Sequence, residues 1–239
     1  LHNLRILAPK SGILKKLVTL CPTQHADAVR TALFNAGAGQ IGHYAQCSFN
    51  VAGEGTFTAQ EGANPFVGSI GIPQTEAELR IEVLYPEHLE KTVLSALKQA
   101  HPYEEVAYFF QTLSNAHQEI GSGMIGELPE AQDPLVVLHH IKTQLGVPVI
   151  RHTQLLEKKI KKIAICGGSG SFLLPNALAA GADMFVTADY KYHEFFDADK
   201  QVVIADVGHF ESEQFTQMLL FETITKIFPN FALHLTEQV

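Results

Sequence analysis

Two stretches of this chain carry one hydrophobic pattern. When Leu17 to Ala38 is laid over Ile81 to Pro102, Pro22, Val29, Ala32, Leu33 and Ala36 fall on Pro86, Val93, Ala96, Leu97 and Ala100 at identical offsets. Each copy reads as an apolar strand (Leu17 to Cys21; Ile81 to Tyr85), a proline suited to a helix entrance, and a helix with one apolar face. A further strand is expected after each helix, Ile41 to Val51 in the first copy and Val106 to Leu113, with Tyr108 and Phe110 in alternation, in the second. Two strand-helix-strand units in tandem predict a ferredoxin-like βαββαβ domain over residues 13–115. Leu1 to Gly12 reads as an extended lead-in with no element of its own. Between the repeats, the glycine-rich run from Gly53 to Gly71 is too long for a simple hairpin. It is either a flexible connector or a subunit contact or flap over a neighbouring site.

From Gly121 onward the pattern changes to alternating helix and strand, which predicts a layered α/β domain over residues 116–239. The expected elements are a helix over Asp133 to Leu145, an extended piece at Val147 to Arg151, a strand at Lys162 to Cys166, a helix at Phe172 to Ala180 and a strand at Met184 to Thr187. A short helix near Tyr192 to Ala198, a strand at Gln201 to Val207 and a long helix to Phe228 complete the set. Leu220, Phe221, Ile224, Ile227 and Phe228 give that last helix an apolar stripe.

Candidate chemistry gathers where these strands end. His209 and Glu213 are four residues apart and share a helical face, and the apolar stripe lies almost directly below Glu213. A glutamate so placed is expected to be buried and to need a cation, and the neighbouring imidazole suggests a divalent metal. The alternative is a solvated surface pair. Gly167-Gly168-Ser169-Gly170 follows one strand and opens a helix, a context in which backbone N–H groups cradle an anion, or in which glycine only serves a tight turn. Asp189, Lys191 and His193 follow the next strand and fall at the same sheet edge. Asp206 could accept from an imidazole N–H or cap a turn. The adjacent His139 and His140 point about 100° apart on a helix and read as surface residues.

Composition narrows the classes. A 46% hydrophobic content over 239 residues supplies ample core. No apolar run approaches the roughly 18 residues that span a bilayer, and no secretory signal pattern opens the chain, so a cytoplasmic location is expected without membrane partners. Cys21, Cys47 and Cys166 stand far apart, which excludes a disulfide framework or a cysteine-rich zinc site. The net charge of −8 argues against nucleic acid, and Lys158, Lys159, Lys161 and Lys162 read as a solvated helix end before a strand.

The run GGSGS, then Gly181-Ala-Asp183, Thr187-Ala-Asp-Tyr-Lys-Tyr-His193 and Asp206-Val-Gly-His-Phe-Glu-Ser-Glu213, resembles the carboxyl-terminal half of the Nif-three-like proteins, the GTP cyclohydrolase I type 2 homologues. Gly53-Glu-Gly-Thr-Phe57, Gly62-Ala-Asn-Pro-Phe-Val-Gly68 and His101-Pro-Tyr-Glu-Glu105 are similar to the domain inserted in bacterial members, of PII and CutA type. The resemblance implies a two-metal site (Zn, Mn or Fe) with His209 and Glu213 as ligands, and a bound water activated for attack on a phosphoester or purine-type ring carbon. Asp189 or His193 would shuttle the proton and the glycine turn would face an anionic part of the substrate. It further implies a homohexamer built from dimers and trimers. The family's other ligands, including a His-His-Pro motif, lie in an amino-terminal half that this chain is expected to lack. Ala188 departs from the usual T-G-D, which implies a changed turn. The metal-dependent hydrolase is the leading reading, and the alternative, of a different class, is a regulatory or scaffolding oligomer whose PII-like domain binds a small-molecule effector.

Overall fold

The computed structural model describes residues 1–236. The chain forms two compact units, Lys10–Gln118 and a unit that joins Leu1–Pro9 to the chain from Glu119 onward. The first departure from expectation comes at once. Strand β1 (His2–Ser11) occupies the stretch read as a lead-in, and it buries Leu7.

Within Lys10–Gln118 the order is β2 (Leu14–Pro22), α1 (Ala26–Asn35), β3 (Phe49–Thr58), β4 (Pro73–Pro86), α2 (Glu90–Ala100) and β5 (Tyr108–Thr112). The four strands lie in the order β3-β4-β2-β5, with every neighbouring pair antiparallel, which is the ferredoxin-like arrangement. The sequence repeat is the core of this unit. Val29 and Leu33 of α1 and Val93 and Leu97 of α2 are wholly buried against Leu17, Ile81 and Tyr85, each apolar side chain contributing roughly 1.5–3 kcal/mol. The strand expected at Ile41 begins only at Phe49, because Ile41 and Tyr44 pair in a local turn. Gly53 to Thr58 accordingly belong to β3, and the connecting loop is confined to residues 59–72.

The other unit carries β6 (Ala116–Gln132), α3 (Pro134–Leu145), β7 (Arg151–His152), β8 (Ile160–Ser169), α4 (Leu174–Ala179), β9 (Met184–Ala188), β10 (Val203–Asp206), α5 (His209–Glu213) and α6 (Thr216–Ile227). Its six-stranded sheet runs β1-β6-β8-β9-β10-β7, with β8, β9 and β10 mutually parallel. Alternate residues of the parallel strands feed two cores. Phe185 and Ile204 pack with Leu173, Leu174 and Ala177 at α4, whereas Met184, Val186, Val203 and Ala205 pack with Val137 and Leu138 of α3. Helices therefore cover opposite sheet faces, as the alternating pattern predicted.

One expectation about burial fails here. Helix α6 forms, but Met218, Leu219, Leu220, Ile224, Ile227 and Phe228 are exposed, and the helix has no buried residue. The helical period shows that one face of α6 is apolar. It does not show that this part of the chain supplies the cover.

Candidate functional site

The carboxyl ends of the three parallel strands deliver the chemistry. Strand β9 ends into Asp189, a non-glycine residue held at a left-handed φ of 59°. Strand β10 ends at Asp206, and Gly208 at φ 90° turns the chain so that α5 starts on His209. The His209 Nδ1 lies 2.6 Å from Asp189 Oδ2, and its Nε2 lies 3.3 Å from Glu213 Oε2. One imidazole is thus held between two carboxylates. A hydrogen bond to Asp189 and then its charge, helped by Glu213, raise the His209 pKa above the ordinary histidine value.

Glu213 is not buried as the stripe suggested. Its side chain is half open to solvent (50%), as is that of His209 (52%). The stripe that was to bury it belongs to α6, which begins anew after Gln214–Phe215 and is itself exposed. The reason for a cation changes accordingly: two carboxylates converge on one ring, so their charge, rather than burial of Glu213, favours a proton or a metal at Nε2.

The glycine turn packs against this cluster. A Cβ on Gly168 would stand 2.5 Å from Glu213 Oε1 and 3.3 Å from His209 Cε1, and Gly168 sits at φ 63°. Only glycine lets the backbone approach this closely. The Gly168 N–H, one of the donors expected to face an anion, instead donates to Ser212 Oγ at 2.9 Å. Ser212 Oγ in turn donates to the His209 carbonyl at 2.7 Å. Gly170 meets a second constraint, since a Cβ there would lie 2.4 Å from Thr187 Oγ1. Gly167 borders Glu213 and Ser212, and Ser169 closes β8 beside Ala188 of β9.

Asp206 does not touch an imidazole. It is buried, accepts from Tyr190 N at 3.0 Å and Gly208 N at 3.1 Å, and pairs with Arg151, so it holds the turns rather than the ring. The carboxylate behind the imidazole is Asp189. His193 lies exposed in a short 3-10 helix, Tyr192–Ala198, and no hydrogen bond or ion pair among the described residues joins it to Asp189, His209 or Glu213. His139 and His140 are exposed on α3, as their adjacency implied. Ser212 and Arg151 were missed in the sequence. Ser212 had a local signal in its place one residue before Glu213, whereas Arg151 reaches Asp206 only through the fold.

Imidazole and carboxylate suit a divalent ion, and a metal-binding histidine usually gives its other ring nitrogen to a carboxylate, as His209 does to Asp189. The 3.3 Å between Nε2 and Oε2 matches the roughly 3.4 Å that separates two ligands each about 2.1 Å from one tetrahedral ion. Among the described residues, no group of three or more His, Cys, Asp or Glu side chains is arranged to hold a metal by itself.

A three-layer α/β unit that presents an aspartate, a histidine and a glutamate at its strand ends, carried in one chain with a ferredoxin-like unit, is the class of molecule this geometry defines. Within it, the chain belongs to the Duf34/NIF3 (NGG1p interacting factor 3) family, whose model matches residues 14–238. It is 41% identical over 211 residues to a GTP cyclohydrolase 1 type 2 homolog of Halalkalibacterium halodurans, covering 87% of this chain and 57% of that protein. A relative of the same name from Bacillus subtilis is 36% identical over 212 residues, covering 88% and 57%. The crystal structure of a Bacillus cereus protein related to NIF3 superposes with a TM-score of 0.80 at 36% identity, over 100% of this chain and 66% of that one. The chain therefore spans little more than half the length of these curated relatives.

Proposed function

We propose that His209 and Glu213 are this chain's contribution to a divalent-metal centre of a hydrolase acting on a nucleotide or another phosphoester, and that the remaining ligands come from sequence outside these 239 residues. The observation that carries the reading is the relay Asp189–His209–Glu213, with His209 Nδ1 committed to Asp189 at 2.6 Å and Nε2 turned toward Glu213. The relatives' name and their greater length support it. When bound, a metal pair would lower the pKa of a water and make it a nucleophile near neutral pH.

The chain's own residues have separable tasks. Asp189 fixes the tautomer and orientation of His209, which leaves Nε2 as the donor to the ion. Gly168 keeps the β8 backbone low enough for the Glu213 carboxylate to sit over it, and Ser212 ties that backbone to α5. Because Asp189 is engaged with His209, the accessible His193 is the better of the two proposed proton carriers. Assembly into a homohexamer is part of the same proposal, and the uncovered apolar face of α6 supports self-association.

Titrating Zn²⁺ or Mn²⁺ into this chain by calorimetry tests the reading. Weak binding that disappears in His209→Ala and in Glu213→Ala, with the circular-dichroism spectrum of each variant unchanged, is the expected result. Binding that survives both substitutions removes the ligand assignment.

A further inference from the structure

Three motifs noted in the sequence and unused by the metal reading converge on one place in Lys10–Gln118. Gly53-Glu-Gly-Thr-Phe57 supplies β3, Gly62-Ala-Asn-Pro-Phe66 the connecting loop, and His101-Pro-Tyr-Glu-Glu105 the segment after α2. Together with Glu78 of β4 they line a cleft of about 410 Å³, within the size range of small-molecule sites. The loop is a wall here, pinned by Asn64 N donating to Glu104 Oε1 at 2.7 Å.

The cleft joins a buried carboxylate to aromatic faces. Glu78 is 7% exposed, and its Oε1 accepts from the Tyr103 hydroxyl at 2.9 Å. Among the described residues that phenol is its hydrogen-bond donor, and no ion pair reaches it. Gly55 is what gives the carboxylate room, since a Cβ there would fall 2.3 Å from Glu78 Oε2. The ring of Tyr103 stands 6.1 Å from that of Phe57 and 6.3 Å from that of Phe66. His101 supplies no charge: burial lowers its pKa, its Nε2 lies 2.9 Å from the Leu20 carbonyl, and its Nδ1 accepts from Tyr103 N. That pattern is the neutral Nε2–H tautomer. Glu104 and Glu105 add negative charge to the lining.

A carboxylate taken out of water with one neutral donor favours a cationic occupant, and rings grouped beside it attract a cation to their faces. We infer that this cleft binds a small organic cation, an amine or quaternary ammonium with an apolar or aromatic body, whose charged nitrogen meets Glu78 and whose body lies against Phe57, Phe66 and Tyr103. Acidic lining makes it a poor site for phosphates, so it is chemically distinct from a nucleotide site. The inference does not depend on the metal proposal.

Benzyltrimethylammonium is a suitable probe, with phenyl phosphate as its anionic counterpart, each titrated into the 239-residue chain and followed by amide chemical shifts in NMR spectra. Saturable shifts at Gly55, Phe57, Glu78 and Tyr103 with the cation and none with the anion are expected. Glu78→Gln, which keeps the shape and the Tyr103 hydrogen bond, should weaken binding roughly tenfold, about 1.4 kcal/mol. Phe66→Leu, on an exposed ring outside the core, should weaken it by a smaller factor. No saturable shifts at millimolar cation, equal binding by the Glu78→Gln chain, or a preference for the anion would each overturn the inference.

Discussion

At the scale of single residues, the site depends on positions where a side chain is missing as much as on those where one is present. Gly168 carries a left-handed φ of 63° and would place a Cβ 2.5 Å from Glu213 Oε1. Gly168→Ala therefore has two effects: a backbone cost of roughly 1 kcal/mol, and displacement of the Glu213 carboxylate from His209. A lowered melting temperature together with weaker Zn²⁺ binding is expected, and binding of unchanged strength would mean that the carboxylate does not need its present position. Asp183 illustrates a different logic. Burial alone would raise its pKa, but the ion pair with Lys158 and hydrogen bonds from Lys162 N and Lys161 N, each 2.8 Å, overcome burial and hold it below the ordinary carboxylate value. A folded-state pKa below the unfolded one contributes stability that is complete above about pH 4 and is lost as pH falls through the folded value. Asp183→Asn should then be less stable than the parent at neutral pH, with the gap narrowing in thermal melts taken from about pH 6 down to about pH 3. A gap independent of pH would assign the effect to shape rather than charge.

At the scale of elements, what the sequence revealed and what it hid have physical reasons. The repeat was legible because Val29, Leu33, Val93 and Leu97 are core positions, and a core imposes its period on the chain. Strands β9 and β10 were legible because both their faces are covered, which makes them continuously apolar. Strand β6 was hidden by the glycines that let it form. A Cβ on Gly121 would lie 2.2 Å from the Ala8 carbonyl, and one on Gly126 would lie 2.7 Å from Leu4, so close packing on β1 demands residues that read as loop. The proximity of His209 and Glu213 was legible from their spacing, while their exposure was misjudged because it depends on where α6 lies. The uncovered face of α6 leads to its own expectation. Large exposed apolar patches mark interaction surfaces, so this chain should bind an environment-sensitive apolar dye while fully folded. Leu219→Lys with Ile227→Lys should reduce that fluorescence without lowering helix content. Dye binding that persists undiminished would place the responsible surface elsewhere.

At the scale of the whole molecule, the chain that builds the six-stranded sheet is interrupted by a second unit with a sheet of its own. Strands β1 and β6 are neighbours in the six-stranded sheet, and the unit Lys10–Gln118 leaves from the end of one and returns into the start of the other. Adjacent strands lie about 4.8 Å apart, so the two ends of the inserted unit are held close together, the circumstance in which insertion is least costly to the host. The inserted unit has its own hydrophobic core. Its core is drawn from β2, α1, β4 and α2, with Val106, Tyr108 and Phe110 packed beside it, and it takes no residue from the other sheet. Residues 10–118 expressed alone should therefore unfold in one cooperative thermal transition and retain the cleft at Glu78. The reciprocal unit, with Pro9 joined to Glu119 by a short turn, should keep the Asp189–His209 pair. A shapeless melting curve for residues 10–118 would mean that the repeat, despite burying both its helices, still requires β1 and β6 to hold its ends.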